Sequence, residues 1–179
     1  NATVRVVTAF GHGSGTYIKV GKSYGIITAA HVVEGSNLVI IENSGRQHIA
    51  VPVWLNQQDD VAFLWLPTEI VEKKALKLKA DAQARAGDEV MYSGFPSFHE
   101  MLTFRCNVSN ADTTKIVVQG FAWFGASGSG FINKRGEVFA VLSAVTVEDF
   151  YGHPQVVSTL VLANKITQAH VREIEFVLQ

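Results

Sequence analysis

The chain has almost no cysteine: one residue, Cys106, among 179. A single thiol excludes any internal disulfide, so packing and hydrogen bonds must hold the fold. There is no charge excess either. Fifteen Lys and Arg stand against sixteen Asp and Glu, a net charge of −1, so no long-range field demands a nucleic-acid or membrane partner. No apolar run approaches the roughly 20 residues that span a bilayer, and no signal-peptide pattern is present. The chain opens on Asn1 rather than Met, which reads as a trimmed chain or a piece excised from a longer precursor. The lone cysteine and the missing signal pattern favour an intracellular setting. There is no internal repeat and no low-complexity segment.

What is present is a core-forming composition, 47% apolar. A chain of this length removes roughly 70% of its unfolded surface from water. Short runs rich in β-branched and aromatic residues predict strands. The first set is Val4–Phe10, Thr16–Val20, Gly25–Thr28, Asn37–Glu42, His48–Leu55 and Val61–Leu66. The second is Glu89–Tyr92, Leu102–Ser109, Lys115–Gly120, Gly130–Ile132, Val138–Ala144 and Val156–Val161. Clusters such as Gly11–Gly15, Gly21–Ser23 and Asn43–Gly45 separate strands. Regular strand spacing with turn signals predicts an all-β barrel or sandwich. The lysine- and alanine-rich stretch Pro67–Ala86 reads as a connection with some ordered structure. Apolar residues at Ile166, Ala169, Val171 and Ile174 predict a helix over Ala163–Phe176.

Three segments carry chemistry. Gly125-Ala126-Ser127-Gly128-Ser129-Gly130 places a serine among glycines, Thr28-Ala29-Ala30-His31 offers a base, and Asp60-Val61-Ala62-Phe63-Leu64 offers a carboxylate. A serine hydroxyl is a poor nucleophile alone. It needs a base for its proton, a carboxylate to orient that base, and backbone N–H groups to hold the oxyanion. The α/β-hydrolase arrangement is excluded, because it needs glycines two before and two after the serine and a different chain order. Asp59 competes with Asp60, but Asp60 directly precedes the apolar strand and Asp59 reads as a turn residue. His12, His48, His99 and His170 read as structural or solvated. Ser14 and Ser129 read as turn serines, and Cys106 as a small buried hydrophobe.

In these segments the chain resembles the chymotrypsin-like (trypsin-like, PA-clan) serine proteases, in particular the compact disulfide-free branch of HtrA-type enzymes and RNA-virus polyprotein proteases. Gly13-Ser14-Gly15-Thr16-Tyr17-Ile18 is similar to the strand leading toward the histidine, Ala86-Gly87-Asp88-Glu89-Val90 to the start of a second barrel, and Gly136 through Ser143 to the strand after the nucleophile. The resemblance implies two antiparallel six-stranded β-barrels with the active site between them and a C-terminal helix. Residues 1–72 would form the first barrel with His31 and Asp60. Residues 73–86 would connect it to a second barrel and helix, 87–179, with Ser127. It implies attack by Ser127, proton transfer by His31, orientation of His31 by Asp60, and an oxyanion hole from the N–H groups of Gly125 and Ser127. It further implies support of Asp60 by Ser143, and extended substrate pairing along Ala144 and Val145. The primary pocket would involve Phe121, Ala122, Ser143, Ala144 and Val145. No metal and no cofactor are implied.

Three features depart from the family pattern. Ala126 stands where relatives activated by a new N-terminus carry aspartate, so the activating ion pair cannot form. Packing around Phe121, Trp123 and Phe124 is then expected to hold the oxyanion loop. Ser-Gly-Ser-Gly replaces the commoner Ser-Gly-Gly-Pro, and no peptide-binding module follows. The last two point toward a viral polyprotein protease, working in the cytoplasm of an infected host cell. The alternatives are an HtrA-like housekeeping protease domain of bacteria and a catalytically idle binding module. No acidic residue lies in the pocket stretches, so a basic side chain there would be buried unpaired. An apolar or neutral polar residue is expected instead, with His153 as a contact if its loop folds inward. Lys73, Lys74 and Lys77, with Lys79 and Arg85, read first as a solvated face and second as a surface for RNA.

Overall fold

The computed structural model describes residues 1–97 and 100–179; His99 lies outside the described residues. Twelve strands close into two barrels. The first comprises β1 Thr3–Thr8, β2 Gly11–Val20, β3 Ser23–Thr28, β4 Val39–Asn43, β5 Arg46–Asn56 and β6 Val61–Trp65. The second comprises β7 Glu89–Gly94, β8 Leu102–Ala111, β9 Lys115–Gln119, β10 Gly130–Ile132, β11 Val138–Phe150 and β12 His153–Lys165. Both barrels are antiparallel. Around the first the order is β1-β2-β3-β6-β5-β4, closed by β1 on β4, and around the second β10-β11-β12-β9-β8-β7, closed by β7 on β10. Closure leaves neither sheet with a full-length open edge.

Alternation builds the interiors. In β1, Val4 and Val6 point inward, and in β4 Val39 and Ile41 do the same; all four are buried. The first core gathers Val4, Val6, Tyr17, Ile26, Ile41 and Leu64, and the second Tyr92, Val108, Val118, Phe131, Phe139 and Val161. A third cluster joins the barrels to the C-terminal helix through Ile18, Ile27, Phe63, Val138, Val141, Ile166 and Ile174. The chain between the barrels is an extended strap. It pairs in parallel first with β2, Leu76 against Ile18, then with β11, Leu78 against Val138.

Several boundaries differ from the sequence expectation. The glycines of residues 11–15 lie inside β2, not in a turn. The reason is close packing: a Cβ on Gly13 would come within 2.8 Å of the Val32 side chain and 2.9 Å of the Ser127 carbonyl oxygen. The C-terminal helix α2 is Gln168–Val177, so it does not begin at Ala163. Residues 163–165 complete β12 by pairing with Leu142, Val141 and Ala140. Thr167 then starts the helix as its N-cap, accepting from the His170 N–H while the His170 ring accepts from the Thr167 N–H. The β11–β12 hairpin also runs further than expected, to a Tyr151-Gly152 turn with φ of 53° and 77°. Positive φ at both positions is what a two-residue hairpin turn requires. His153 sits exposed beside that tip, opposite Phe150. The lysines of the connection are unequal. Lys73 donates to the Asn1 carbonyl at 2.7 Å. Lys77 and Lys79 line a groove with Lys19, into which Glu137 and Glu175 also project.

Candidate active site

His31 is carried by a single helical turn, α1 Ala30–Val33, that follows β3 directly. Ala29 and Ala30 are buried, and Ala30 and Val33 seat this turn on the core of the first barrel. His31 itself remains about half exposed. Asp60 opens β6 from the opposite side. It holds both ends of the histidine: its Oδ1 accepts from the His31 backbone N–H at 2.9 Å and its Oδ2 lies 2.7 Å from Nδ1. The Ser143 hydroxyl donates to the same Oδ2 at 2.5 Å, so a residue of the second barrel completes the carboxylate's shell. Asp60 adopts φ 53°. That left-handed backbone is costly for a residue with a side chain, and persists here because three hydrogen bonds over-determine it.

These contacts set the protonation chemistry. The hydrogen bond to Asp60 raises the His31 imidazole above its ordinary value, and outweighs the opposing effect of burial. Burial alone would raise Asp60, but the hydrogen bonds from His31 and Ser143 outweigh it and hold the carboxyl below the usual range. With Nδ1 engaged as donor to Asp60, Nε2 is the nitrogen left to accept a proton. Cys106, by contrast, is buried and its thiol is pushed up to about 11 by desolvation, a value that leaves almost no thiolate at neutral pH.

Ser127 is placed by its backbone. Its carbonyl accepts from the Ser14 N–H at 2.8 Å, and the next N–H, of Gly128, donates to the Leu142 carbonyl at 2.8 Å. Gly128 has φ 90°, and a Cβ there would lie 2.1 Å from the Ser14 oxygen, 2.2 Å from Thr28 Oγ1 and 3.1 Å from the Ala29 N. Only glycine allows this approach, which sets the residue after Ser127 against the chain that leads into His31. Among the described residues no hydrogen bond joins Ser127 Oγ to His31. Such contacts are commonly long before substrate arrives and tighten around it.

The loop before Ser127 is not held in the way the sequence suggested. Phe124 is 70% exposed, Trp123 39% and Phe121 44%, and Trp123 packs chiefly edge-on against Phe124. Aromatic burial therefore does not fix the loop; hydroxyl groups do. Ser14 Oγ donates to the Gly125 carbonyl at 2.8 Å, and Ser129 Oγ donates to the Ala126 carbonyl at 2.6 Å. Both serines are fully buried, so neither is merely the turn residue that flanking glycines suggest. Asn1 is elsewhere, its side chain donating to Ser93 Oγ at 3.2 Å. Of the remaining candidates, Ala144 is exposed on β11 and Val145 is half buried. Ala122 lies wholly within the second core. Phe121 ends an aromatic column, its ring tilted against Phe104, which meets Tyr92, which meets Phe131. The Tyr92 hydroxyl donates to the Phe121 carbonyl.

A second histidine–aspartate pair lies one residue away and was not legible in the sequence. Asp59 Oδ2 sits 2.7 Å from Nε2 of His170 in α2. The His170 Nδ1 accepts from the Thr167 N–H, so Nε2 carries the proton and donates to Asp59. Trp54 covers the ring at 5.5 Å. Among the described residues no group of three His, Cys, Asp or Glu could hold a metal ion, and no helix is long and apolar enough to cross a membrane.

Comparison with known proteins agrees with this arrangement. The family model described as a trypsin-like peptidase domain matches residues 13–141. The chain belongs to the trypsin-like peptidases, serine endopeptidases built on paired six-stranded barrels. A periplasmic serine protease of do/HhoA-like type from Haemophilus influenzae is 27% identical over 148 residues, 75% of this chain and 31% of that protein. The chain thus spans about a third of the length of that curated relative. Among solved structures, the serine protease of a human pathogenic astrovirus is 20% identical with a TM-score of 0.75, covering 94% of this chain and 91% of that one. A serine endoprotease from Yersinia pestis is 19% identical with a TM-score of 0.75, covering 99% and 62%. At these identities the two structures speak to the fold.

Proposed function

We propose that the chain hydrolyses peptide bonds through an acyl-enzyme, with Ser127 as nucleophile, His31 as general base and then acid, and Asp60 as the group that orients His31. The observation that carries this reading is the two-point grip of Asp60 on His31, which fixes one tautomer and leaves Nε2 basic and half exposed. As Ser127 Oγ attacks the scissile carbonyl, its proton passes to Nε2, and the imidazolium that forms is stabilised by Asp60. The carbonyl oxygen becomes an anion, for which the N–H groups of Gly125 and Ser127 are the assigned donors. The Phe124 carbonyl accepts from Ser97 N–H, and across a trans peptide the Gly125 N–H then points the opposite way. Each such donor is worth roughly 3–4 kcal/mol in comparable sites. His31 returns its proton to the leaving amine, and water repeats the cycle to free Ser127.

Substrate would lie extended along Ala144 and Val145, adding main-chain hydrogen bonds to β11. With Phe121 at the end of an aromatic column and no acidic side chain among the pocket residues, an apolar or neutral polar side chain is preferred. We favour the processing of a viral polyprotein on the ground of the Ser127-Gly128-Ser129-Gly130 segment, and a viral serine protease is among the solved structures that share the fold. The second reading, an HtrA-like protease domain, is favoured by the sequence similarity to the do/HhoA-like protein. The test is labelling with a fluorophosphonate followed by mass mapping. The expected adduct is on Ser127. No adduct, or one on another serine, overturns the assignment. Cleavage-site profiling on a peptide library then separates the readings: a narrow consensus supports polyprotein processing, and broad cleavage of unfolded protein supports the HtrA-like role.

A further inference from the structure

The proposed nucleophile stands in a loop with no carboxylate beside it, Ala126 preceding Ser127, and three successive carbonyls of that loop are each held by a serine. Gly125 O accepts from Ser14 Oγ, Ala126 O from Ser129 Oγ, and Ser127 O from the Ser14 N–H. A peptide plane fixed at its oxygen is also fixed at its nitrogen. Ser129 thereby aims the Ser127 N–H, one of the two donors assigned to the oxyanion, and Ser14 fixes the planes on either side. All polar atoms of Ser14 are engaged: its hydroxyl also accepts from the Phe95 N–H at 2.9 Å, and its carbonyl accepts from Thr28 Oγ1 at 2.7 Å. A hydroxyl can donate once and accept twice, which an alanine or glycine cannot replace.

The two hydroxyls converge on one point of the second barrel. A Cβ added to Gly94, at the end of β7, would lie 2.3 Å from Ser129 Oγ and 3.1 Å from Ser14 Oγ. One serine comes from the first barrel and one from the second, so the arrangement forms only when the barrels are docked.

We propose that Ser14 and Ser129, closed over Gly94, are positioning residues that hold residues 124–128 in the oxyanion-binding shape, an uncharged replacement for an activating ion pair. The proposal rests on Ser127 as nucleophile. It gives the pair a task beyond filling space: the hydroxyls act on the transition state through the orientation of backbone donors, and contribute little to the affinity for unreacted substrate.

The test is the rate of inactivation by a peptidyl fluorophosphonate, resolved into the binding constant KI and the chemical rate kinact. Ser14→Ala is expected to lower kinact by on the order of tenfold or more, since complete loss of one oxyanion donor costs 10²–10³. KI is expected to stay within about twofold and the melting temperature to remain well above the assay temperature. Ser129→Ala should behave alike. Gly94→Ala keeps both hydroxyls but displaces them, and decides the matter if Ser14→Ala fails to fold; the same fall in kinact is expected. Unchanged kinact in Ser14→Ala, or a fall shared equally by KI and kinact, overturns the proposal, as does unchanged kinact in Gly94→Ala. Labelling that persists in Ser127→Ala instead overturns the nucleophile assignment beneath it.

Discussion

The two barrels position their functional groups by different means. The first holds His31 and Asp60 through side chains: a carboxylate grips an imidazole and its backbone N–H, on a turn whose left-handed φ is held by those same bonds. The second holds Ser127, the proposed nucleophile, through the main chain, with consecutive carbonyls tethered. Side-chain positioning tunes proton affinity, because each hydrogen bond to an ionisable group shifts its titration. Main-chain positioning sets geometry without charge. The proton-carrying half is thus exposed to pH and the oxyanion-binding half is not.

Removing the nucleophile should break the comparison most severely. Ser127→Ala is expected to lower turnover by on the order of 10⁶ with an unchanged melting curve; residual activity within a few hundredfold of wild type would show that another group attacks. Next comes the first barrel. Asp60→Asn is expected to cost on the order of 10⁴ in kcat by favouring the wrong histidine tautomer, measured on whichever peptide the library yields.

The pH dependence sharpens the same contrast. His31 must be neutral to accept a proton, so kcat/KM should fall as pH drops through its raised value, with a midpoint above the ordinary imidazole value of about 6.5. Asp60→Asn should move that midpoint downward, and Ser14→Ala should leave it in place. For stability the signs run differently. His31, raised on folding, contributes below its unfolded value and loses that contribution as pH rises through the folded one. Asp60, depressed on folding, contributes above its unfolded value and loses that contribution as pH falls through the folded one. Together they stabilise most between about pH 4 and 6.5, which thermal melts across pH will register.

The smallest effects are expected at the margins. Asp59→Asn leaves an oxygen that can still accept from His170, so stability should fall by roughly 1 kcal/mol and kcat by no more than about threefold. If Asp59→Asn proves more damaging to kcat than Asp60→Asn, the roles of the two carboxylates are reversed. An extension of a few residues before Asn1 should leave kcat unchanged, because Ala126 offers no partner for a buried terminus. Loss of activity that trimming restores would contradict this.

Much of this was legible in the residues. Short runs of β-branched and aromatic residues, bounded by glycine, asparagine and serine clusters, located all twelve strands, because such side chains fit a pleated, half-buried surface. The histidine and aspartate segments were legible because a short polar motif abuts an apolar run. What escaped notice depends on tertiary neighbours. Gly13 reads as a turn until Val32 and the Ser127 carbonyl are seen pressing on it. The α2 boundary was misplaced because Ile166 fits a helical period, whereas Thr167 and His170 carry the stop-and-start signal. Ser14 and Ser129 read as turn residues among glycines. A hint was available for Ser129, which leads directly into the buried strand β10 where a bare hydroxyl would be costly.

The adjacent carboxylates of residues 59 and 60 have a mechanical consequence. One is tied to the C-terminal helix and the other to the His31 imidazole, through a single strained turn between them. A tensile load on α2 would travel through His170 and Asp59 into the peptide unit that aims Asp60, long before either barrel yields. Pulled from its C-terminus, the enzyme should lose catalytic alignment at a lower force than it loses its strands.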